Sequence, residues 1–276
     1  MTIAIALEAA RGLGLERLDA QQLLAHLLQR SRSWLLAHDD EPLSAEQAAA
    51  YDALCRRRAG GEPFAYLVGE REFHGLVLQV SPAVLIPRPD TETLVDWALE
   101  LLATDLTLAA LPSPQVLDLG TGSGAIALAV KHRCVRARVQ ALDASAGALA
   151  VARANAERLQ LDVSFTVSDW WSAIAAPVHL ALSNPPYIAG GDPHLAALQH
   201  EPLQALTPGG DGLGAIDRLT AGAIAHLHPG AWLLIEHGFD QGEAVRQRLL
   251  QAGLVDVSTR RDIEARERCS GGRRPA

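Results

Sequence analysis

The sequence predicts an α/β domain, a mostly parallel sheet covered by helices on both faces, with a small helical domain ahead of it and a β-hairpin linking the two. Three observations lead there. From residue 115 onward, short apolar strand-like runs alternate with helical ones, and that alternation builds a parallel sheet between helical layers. Gly120, Gly122 and Gly124 stand where the first such run would give way to a helix. Residues 1–70 show no alternation; Leu7, Ala10, Leu13, Leu18, Leu23, Leu24, Leu27 and Leu28 recur at helical spacing instead.

Taken in order, the helical pattern breaks near Gly12 and Gly14, and Ser44 with Gln47 forms a capping-box signal for a helix over 48–58 that Gly60-Gly61 ends. Residues 73–80 alternate like a strand, Ser81-Pro82 turns, and 83–86 is the expected returning partner. The expected boundaries are therefore 1–70 for the helical domain, 71–90 for the hairpin linker and 91–276 for the α/β domain. A helix is expected over 91–102. Strands are expected at 116–119, 137–142, 163–167, 178–183, 231–237 and near 255–259, with helices at 125–132, 146–159, 216–226 and 241–252. In such a sheet, ligands gather at the carboxyl ends of the strands. Residues 190–214, rich in Gly, Pro and His, form the longest irregular stretch, and loops of that length tend to be functional.

Composition narrows the classes. A chain of 276 residues with 49% hydrophobic content can bury a full core. The net charge of −8 argues against a duplex nucleic-acid binder; the basic runs at Arg56–Arg58 and from Arg260 to Arg274 read as solvated surface. Cys55, Cys134 and Cys269 fit neither a disulfide framework nor a zinc spacing, which points to a reducing cytoplasm. Charged residues interrupt every apolar run before it could span a bilayer. His74, His200 and His237 form no metal set, so no metal is expected.

The chemistry concentrates at two places. Gly120-Thr121-Gly122-Ser123-Gly124 follows a strand and opens a helix, where backbone can approach a ligand closely and helix N–H groups are free. The final glycine of a dinucleotide fingerprint is replaced by Ala125, so a cofactor without a pyrophosphate fits better. Asp143 ends the next strand, 23 residues beyond Gly120, where a carboxylate can accept ribose hydroxyls; capping the following helix is its alternative role. Asp169-Trp170 follows the third strand and can hold an adenine, the Asp by its amine and the Trp by its ring, with Trp171 the alternative ring. The second place is Asn184-Pro185-Pro186-Tyr187, after the fourth strand. Two prolines stiffen the loop and carry no N–H. The Asn184 oxygen and the Pro185 carbonyl can accept from an NH₂ group while Tyr187 packs on its plane. Together the two elements point to methyl transfer from S-adenosyl-L-methionine to an amide or amino nitrogen.

Those motifs resemble the class I methyltransferases that modify such nitrogens, whose domain is Rossmann-like. The run Leu85-Ile-Pro-Arg-Pro-Asp-Thr-Glu92, preceded by Arg71-Glu-Phe-His-Gly75, is more specific. It resembles the peptide chain release factor N5-glutamine methyltransferases (the PrmC/HemK family), whereas ribosomal-protein glutamine methyltransferases usually carry a Ser-Pro-Ile type sequence there. The likeness continues through Glu201-Pro202 and Ile235-Glu-His-Gly238, and loosens over 265–271. It implies a glutamine in the Gly-Gly-Gln tip of class 1 release factors as substrate. Asn184, Pro185, Pro186 and Tyr187 would hold that glutamine. Gly120 to Gly124, Asp143, Asp169, Trp170 and Asn184 would hold the cofactor, and the helical domain would dock the partner. A cytoplasmic monomer with no stable nucleic-acid or membrane partner is expected. Arg88, Asp90 and Glu92 read as an ion-pair cluster at a helix start before they read as cleft residues. The alternatives are a glutamine methyltransferase of a ribosomal protein, an adenine-N6 nucleic-acid methyltransferase, and a binding module that has lost catalysis.

Overall fold

The computed structural model describes residues 1–276 and divides into two compact units, Met1–Glu70 and Arg71–Ala276. The first is helical: α1 (Ile3–Gly12), α2 (Arg17–Leu28), α3 (Arg32–Ala37), α4 (Ala45–Ala59) and α5 (Phe64–Val68). Ile3, Leu23, Leu24, Leu35 and Tyr51 form its core. The capping box forms as the sequence suggests. Gln47 N donates to Ser44 Oγ at 3.1 Å, and Ser44 N donates to Gln47 Oε1 at 2.8 Å. The buried Tyr51 hydroxyl donates to Ala20 O at 2.9 Å, so α4 is fastened to α2 without an unsatisfied polar group.

A hairpin of β1 (Glu70–Phe73) and β2 (Leu76–Gln79) follows, all of it but Glu70 belonging to the second unit. This corrects the expected pairing of 73–80 with 83–86. The turn is His74-Gly75, with φ of 50° and 82°, and two central residues at positive φ match the twist of a tight hairpin. Residues 81–86 do not return as a strand. Val84 N donates to Ser81 O at 3.0 Å, closing a turn around Pro82, which has no N–H for a ladder.

A 3-10 turn (Pro89–Thr91) leads into α6 (Glu92–Thr104) and α7 (Leu106–Ala110). Strand and helix then alternate: β3 (Gln115–Leu119), α8 (Ala125–Arg133), β4 (Arg138–Asp143), α9 (Ala146–Leu159), β5 (Val163–Val167) and β6 (Val178–Ser183). After the long loop, which contains α10 (Leu203–Leu206), come α11 (Gly214–His226), β7 (Leu227–Glu236), α12 (Gly242–Gln251), β8 (Val255–Arg261) and β9 (Glu267–Arg273). The sheet order is β5-β4-β3-β6-β7-β9-β8. β3 to β7 pair in parallel, and β9 runs antiparallel to both its neighbours.

Side chains alternate across this sheet as the pleat requires. Val116, Leu180, Leu182 and Leu234 pack with α6 and α8 on one face; Leu117, Leu119, Ala181, Leu233 and Ile235 pack with α11 and α12 on the other. From β3 the chain moves outward through β4 and β5, then crosses back to lay β6 on the opposite side of β3. That reversal opens a crevice at the carboxyl ends of the strands. Asn155, buried on α9, braces this end. It accepts from Gln79 N at 2.6 Å and donates to Gln79 O and Ser123 O, each at 3.0 Å. None of the helices is long and apolar enough to cross a membrane.

β9 is an addition to the expected elements. Its sequence, Glu267-Arg-Cys-Ser-Gly-Gly-Arg273, has no β-branched residue, so propensity does not announce it. It is buried between β7 and β8, where a Cβ on Gly271 would lie 2.4 Å from Leu234 Cδ2 and 2.9 Å from the Trp97 ring. Gly271→Ala should lower unfolding free energy by about 1–3 kcal/mol through overpacking, read from urea denaturation.

Candidate active site

The crevice is a cavity of about 460 Å³, within the range of small-molecule sites. It is lined from the carboxyl ends of β3 to β6: Gly120 and Gly122, then Leu142, Asp143 and Ala144, then Ser168, Asp169 and Trp170, then Asn184 and Pro186. Two further walls were not foreseen, Ala83–Leu85 and the segment carrying Pro202, Gln204 and Ala205.

The glycine loop follows from backbone geometry. Gly120, Gly122 and Gly124 have φ of 79°, 56° and 86°, a region other residues enter at a cost. Gly120 N and Thr121 N donate to Leu142 O at 2.9 and 2.8 Å. Thr121, Ser123 and Gly124 do not line the cavity; Thr121 Oγ1 donates instead to Asp118 Oδ2 at 2.6 Å, and Ala127 N donates to the same oxygen at 3.2 Å. Asp118 thus braces the turn from behind. It is fully buried, its Oδ1 has no hydrogen-bond partner, and burial pushes its carboxyl up to about 7.

Asp143 faces the cavity with both oxygens held by backbone: Gly122 N donates to Oδ2 at 2.9 Å and Ser145 N to Oδ1 at 2.8 Å. Burial raises its carboxyl above the usual range, and these donors oppose the rise. Each oxygen still has a lone pair to offer a ligand hydroxyl. The two tryptophans separate. Trp170 sits over Gly120, whose Cβ would meet its ring at 3.6 Å, and it holds a φ of 51°. Trp171 belongs to the core and donates its Nε1–H to Leu219 O at 3.1 Å. Asp169 lines the cavity beside Trp170 and is ion-paired to Arg218.

Asn184 and Pro186 line the cavity, whereas Pro185 and Tyr187 do not. Asn184 Nδ2 donates to Thr91 Oγ1 at 3.1 Å, committing the donor half of its amide to the scaffold. Tyr187 packs against the core, donates its hydroxyl to Glu236 Oε1 at 3.2 Å and accepts at its carbonyl from Gln241 Nε2 at 3.0 Å. The loop is therefore held at both ends.

The segment 85–92 contributes Leu85 to the cavity wall, and its charged residues form braces. Arg88 pairs with the buried Glu201, whose other oxygen accepts from Ile86 N at 3.0 Å. Asp90 pairs with Arg268 at 3.1 Å, and Glu92 accepts from His74 N at 3.1 Å. Glu201 joins the two unforeseen walls, and nothing in the spacing of positions 88 and 201 announces that they meet. His237 is buried and bonds Ser270 Oγ at 2.8 Å, while His74 bonds Asp96 at 3.0 Å.

Residues 3–69 match the family described as the PrmC N-terminal domain, and residues 91–233 match the methyltransferase small domain. A release factor glutamine methyltransferase of Bordetella pertussis is 51% identical over 263 residues, covering 94% of this chain and 95% of its own length. One from Xylella fastidiosa is 49% identical over 279 residues, covering 100% of this chain and 99% of its own. Among solved structures, the T. thermophilus 16S rRNA N2 G1207 methyltransferase, in complex with AdoMet and guanosine, shares the fold. Its TM-score is 0.53 at 18% identity, over 74% of this chain and 49% of its own.

Asp118 gives a stability prediction. A carboxyl raised from 3.8 to about 7 by folding binds its proton more tightly in the folded state. Its contribution is full below pH 3.8 and is lost as pH rises through about 7. Asp118→Asn keeps an acceptor for Thr121 and Ala127 but carries no charge. The loss of melting temperature between mildly acidic and mildly basic pH should be smaller in the variant than in the parent, measured without ligand.

Proposed function

The chain belongs to the release factor glutamine methyltransferase family, and from that premise we propose that it methylates the N5 nitrogen of the glutamine in the Gly-Gly-Gln tip of class 1 peptide chain release factors. One observation carries the reading: Asn184 lines the same cavity as Gly120, Gly122, Asp143 and Trp170. A cofactor cradle and an amide-gripping loop therefore share one space. S-adenosyl-L-methionine, when bound, supplies an electrophilic methyl group there.

The residues present fit that cofactor. Gly120 and Gly122 leave room for close approach, the Asp143 carboxylate suits ribose hydroxyls, and Trp170 offers a ring face to adenine with Asp169 beside it. Thr121, Ser123 and Gly124 serve by shaping the loop. The carboxamide nitrogen is a poor nucleophile because its lone pair is delocalised, so orientation is the main task. The Asn184 Oδ1 accepts one amide hydrogen inside the cavity and the Pro185 carbonyl, next along the same loop, accepts the other. Pro186 keeps the loop stiff, and Tyr187, packed in the core behind it, anchors the loop through Glu236 and Gln241 rather than touching the carboxamide. Fixing two reactants in this way can lower a barrier by roughly 7–11 kcal/mol. The carbonyl dipoles also stabilise the positive charge that develops on nitrogen, which is discharged when the methylated nitrogen releases one of its two hydrogens as a proton to water. The helical unit at 1–70 serves as a docking surface for the rest of the release factor.

The test is transfer of labelled methyl from S-adenosyl-L-methionine to unmethylated release factor, to the same factor with its tip Gln replaced by Ala, to ribosomal protein and to duplex DNA. Label on the native factor alone is the expected result; label on ribosomal protein or DNA would replace the partner. Asn184→Ala should lower kcat by about 10²-fold or more. Asp143→Ala should weaken cofactor binding by about tenfold or more, measured by calorimetry, with the fold intact by circular dichroism.

A further inference from the structure

Thr91 is buried at the start of α6, yet its hydroxyl caps no helix. It accepts from Asn184 Nδ2 at 3.1 Å, and the same hydroxyl faces the carboxyl of Glu236. Glu236 is the last residue of β7 and is 1% exposed. Its Oε1 accepts from the Tyr187 hydroxyl at 3.2 Å, while Oε2 has no hydrogen-bond partner. Neither Thr91 nor Glu236 lines the cavity.

A hydroxyl has one proton and two acceptor lone pairs. The acceptor that faces this proton is the Glu236 carboxylate, whose Oε2 has no other partner, and a charge-assisted bond there would be stronger than any neutral alternative. The Thr91 oxygen is then left as an acceptor only. Asn184 must turn its NH₂ toward Thr91 and its Oδ1 away from it. From this chain of contacts we infer that Glu236 is a positioning residue, whose carboxylate acts through Thr91 to hold the Asn184 amide in the orientation that presents an oxygen to the substrate carboxamide. The inference rests on the proposed role of Asn184 as the amide grip. In the opposite orientation Asn184 would set an NH₂ against the substrate NH₂, donor against donor.

The surroundings make this arrangement dependent on pH. Thr91 and Asp90 face Glu236 from the 3-10 turn, Tyr187 from the loop after β6, and Arg268 and Cys269 from β9. Burial pushes Glu236 up to about 7; Thr91, Arg268 and Tyr187 draw it down and Asp90 pushes it up. Arg268 shares its charge with Asp262 at 3.0 Å and Asp90 at 3.1 Å, so it does not neutralise Glu236 alone. Burial raises Tyr187, so its hydroxyl stays a donor. Once protonated, Glu236 can donate to Thr91, the hydroxyl is freed to point elsewhere, and Asn184 loses its enforced orientation. The competent form is the carboxylate, so kcat should rise with pH through about 7.

The experiment measures kcat and KM for release factor across the neutral range in the full-length protein, with cofactor affinity measured alongside. Glu236→Gln should lower kcat by about tenfold and abolish the acid limb while leaving cofactor affinity unchanged. Asp118 titrates in the same range, so disappearance of the limb in Glu236→Gln is what assigns it. Thr91→Val should reproduce the loss of kcat, and Thr91→Ser should recover most of it. The side-chain NH₂ of Asn184 should be protected from solvent exchange by nuclear magnetic resonance in the parent and lose that protection in Thr91→Val. If Glu236→Gln does not bind cofactor, the Thr91 pair decides. Parental kcat, limb and amide protection in Glu236→Gln and Thr91→Val, with Asn184→Ala inactive, would overturn the inference alone. An active Asn184→Ala would instead remove the grip on which it rests.

Discussion

The parallel pairing of β3 with β6 at the centre of the sheet is the constraint on which the site depends. Val116 stands opposite Leu180 and Asp118 opposite Leu182, so the ends of both strands arrive together. Ser183 Oγ closes the pair by donating to Leu119 O at 2.6 Å. The glycine loop and the Asn184 loop are thereby fixed to one rigid edge, although 63 residues separate Gly120 from Asn184. Both strands are buried on their two faces, so a one-residue slip would drive each side chain into the packed core on the wrong side of the sheet.

Beneath that edge the domain keeps two carboxyls, Asp118 and Glu236, away from water, each with one oxygen lacking a hydrogen-bond partner. Burying such groups disfavours folding, and a purely structural design would have used amides or apolar residues. Both lie directly behind a loop that faces the cavity, Asp118 through Thr121 and Glu236 through Tyr187. Their placement fits a general pattern in which stability is given up near a site where backbone and side-chain orientation have to be fixed.

What could be read from the chain depended on the range of the interactions involved. The α/β alternation, the glycine loop, Asp143 and the Asn184 loop are local patterns, and their signals are periodicity and backbone permissiveness. Trp170 and Trp171 are neighbours with the same chemistry, and only the 3-10 turn after β5 separates their directions. In isolation Ser81-Pro82 is the stronger turn signal and points to the wrong pair of segments for the hairpin, whereas His74-Gly75 turns the chain through two positive φ values. Thr91 and Asn184, Arg88 and Glu201, and Asn155 and Gln79 meet only in three dimensions. No periodicity connects them. β9 was hidden for another reason: its glycines answer to Trp97 and Leu234, not to strand propensity.

Asn155 has a consequence for how this molecule could be recombined. One buried amide holds both backbone groups of Gln79 at the end of the hairpin and the Ser123 carbonyl in the glycine loop. The hairpin and the loop are therefore not separable modules, even though 43 residues lie between Gln79 and Ser123. A chimera that exchanged the hairpin would have to bring along the residue on α9 that answers it. A foreign hairpin with a different register would pull at Ser123 as soon as it settled.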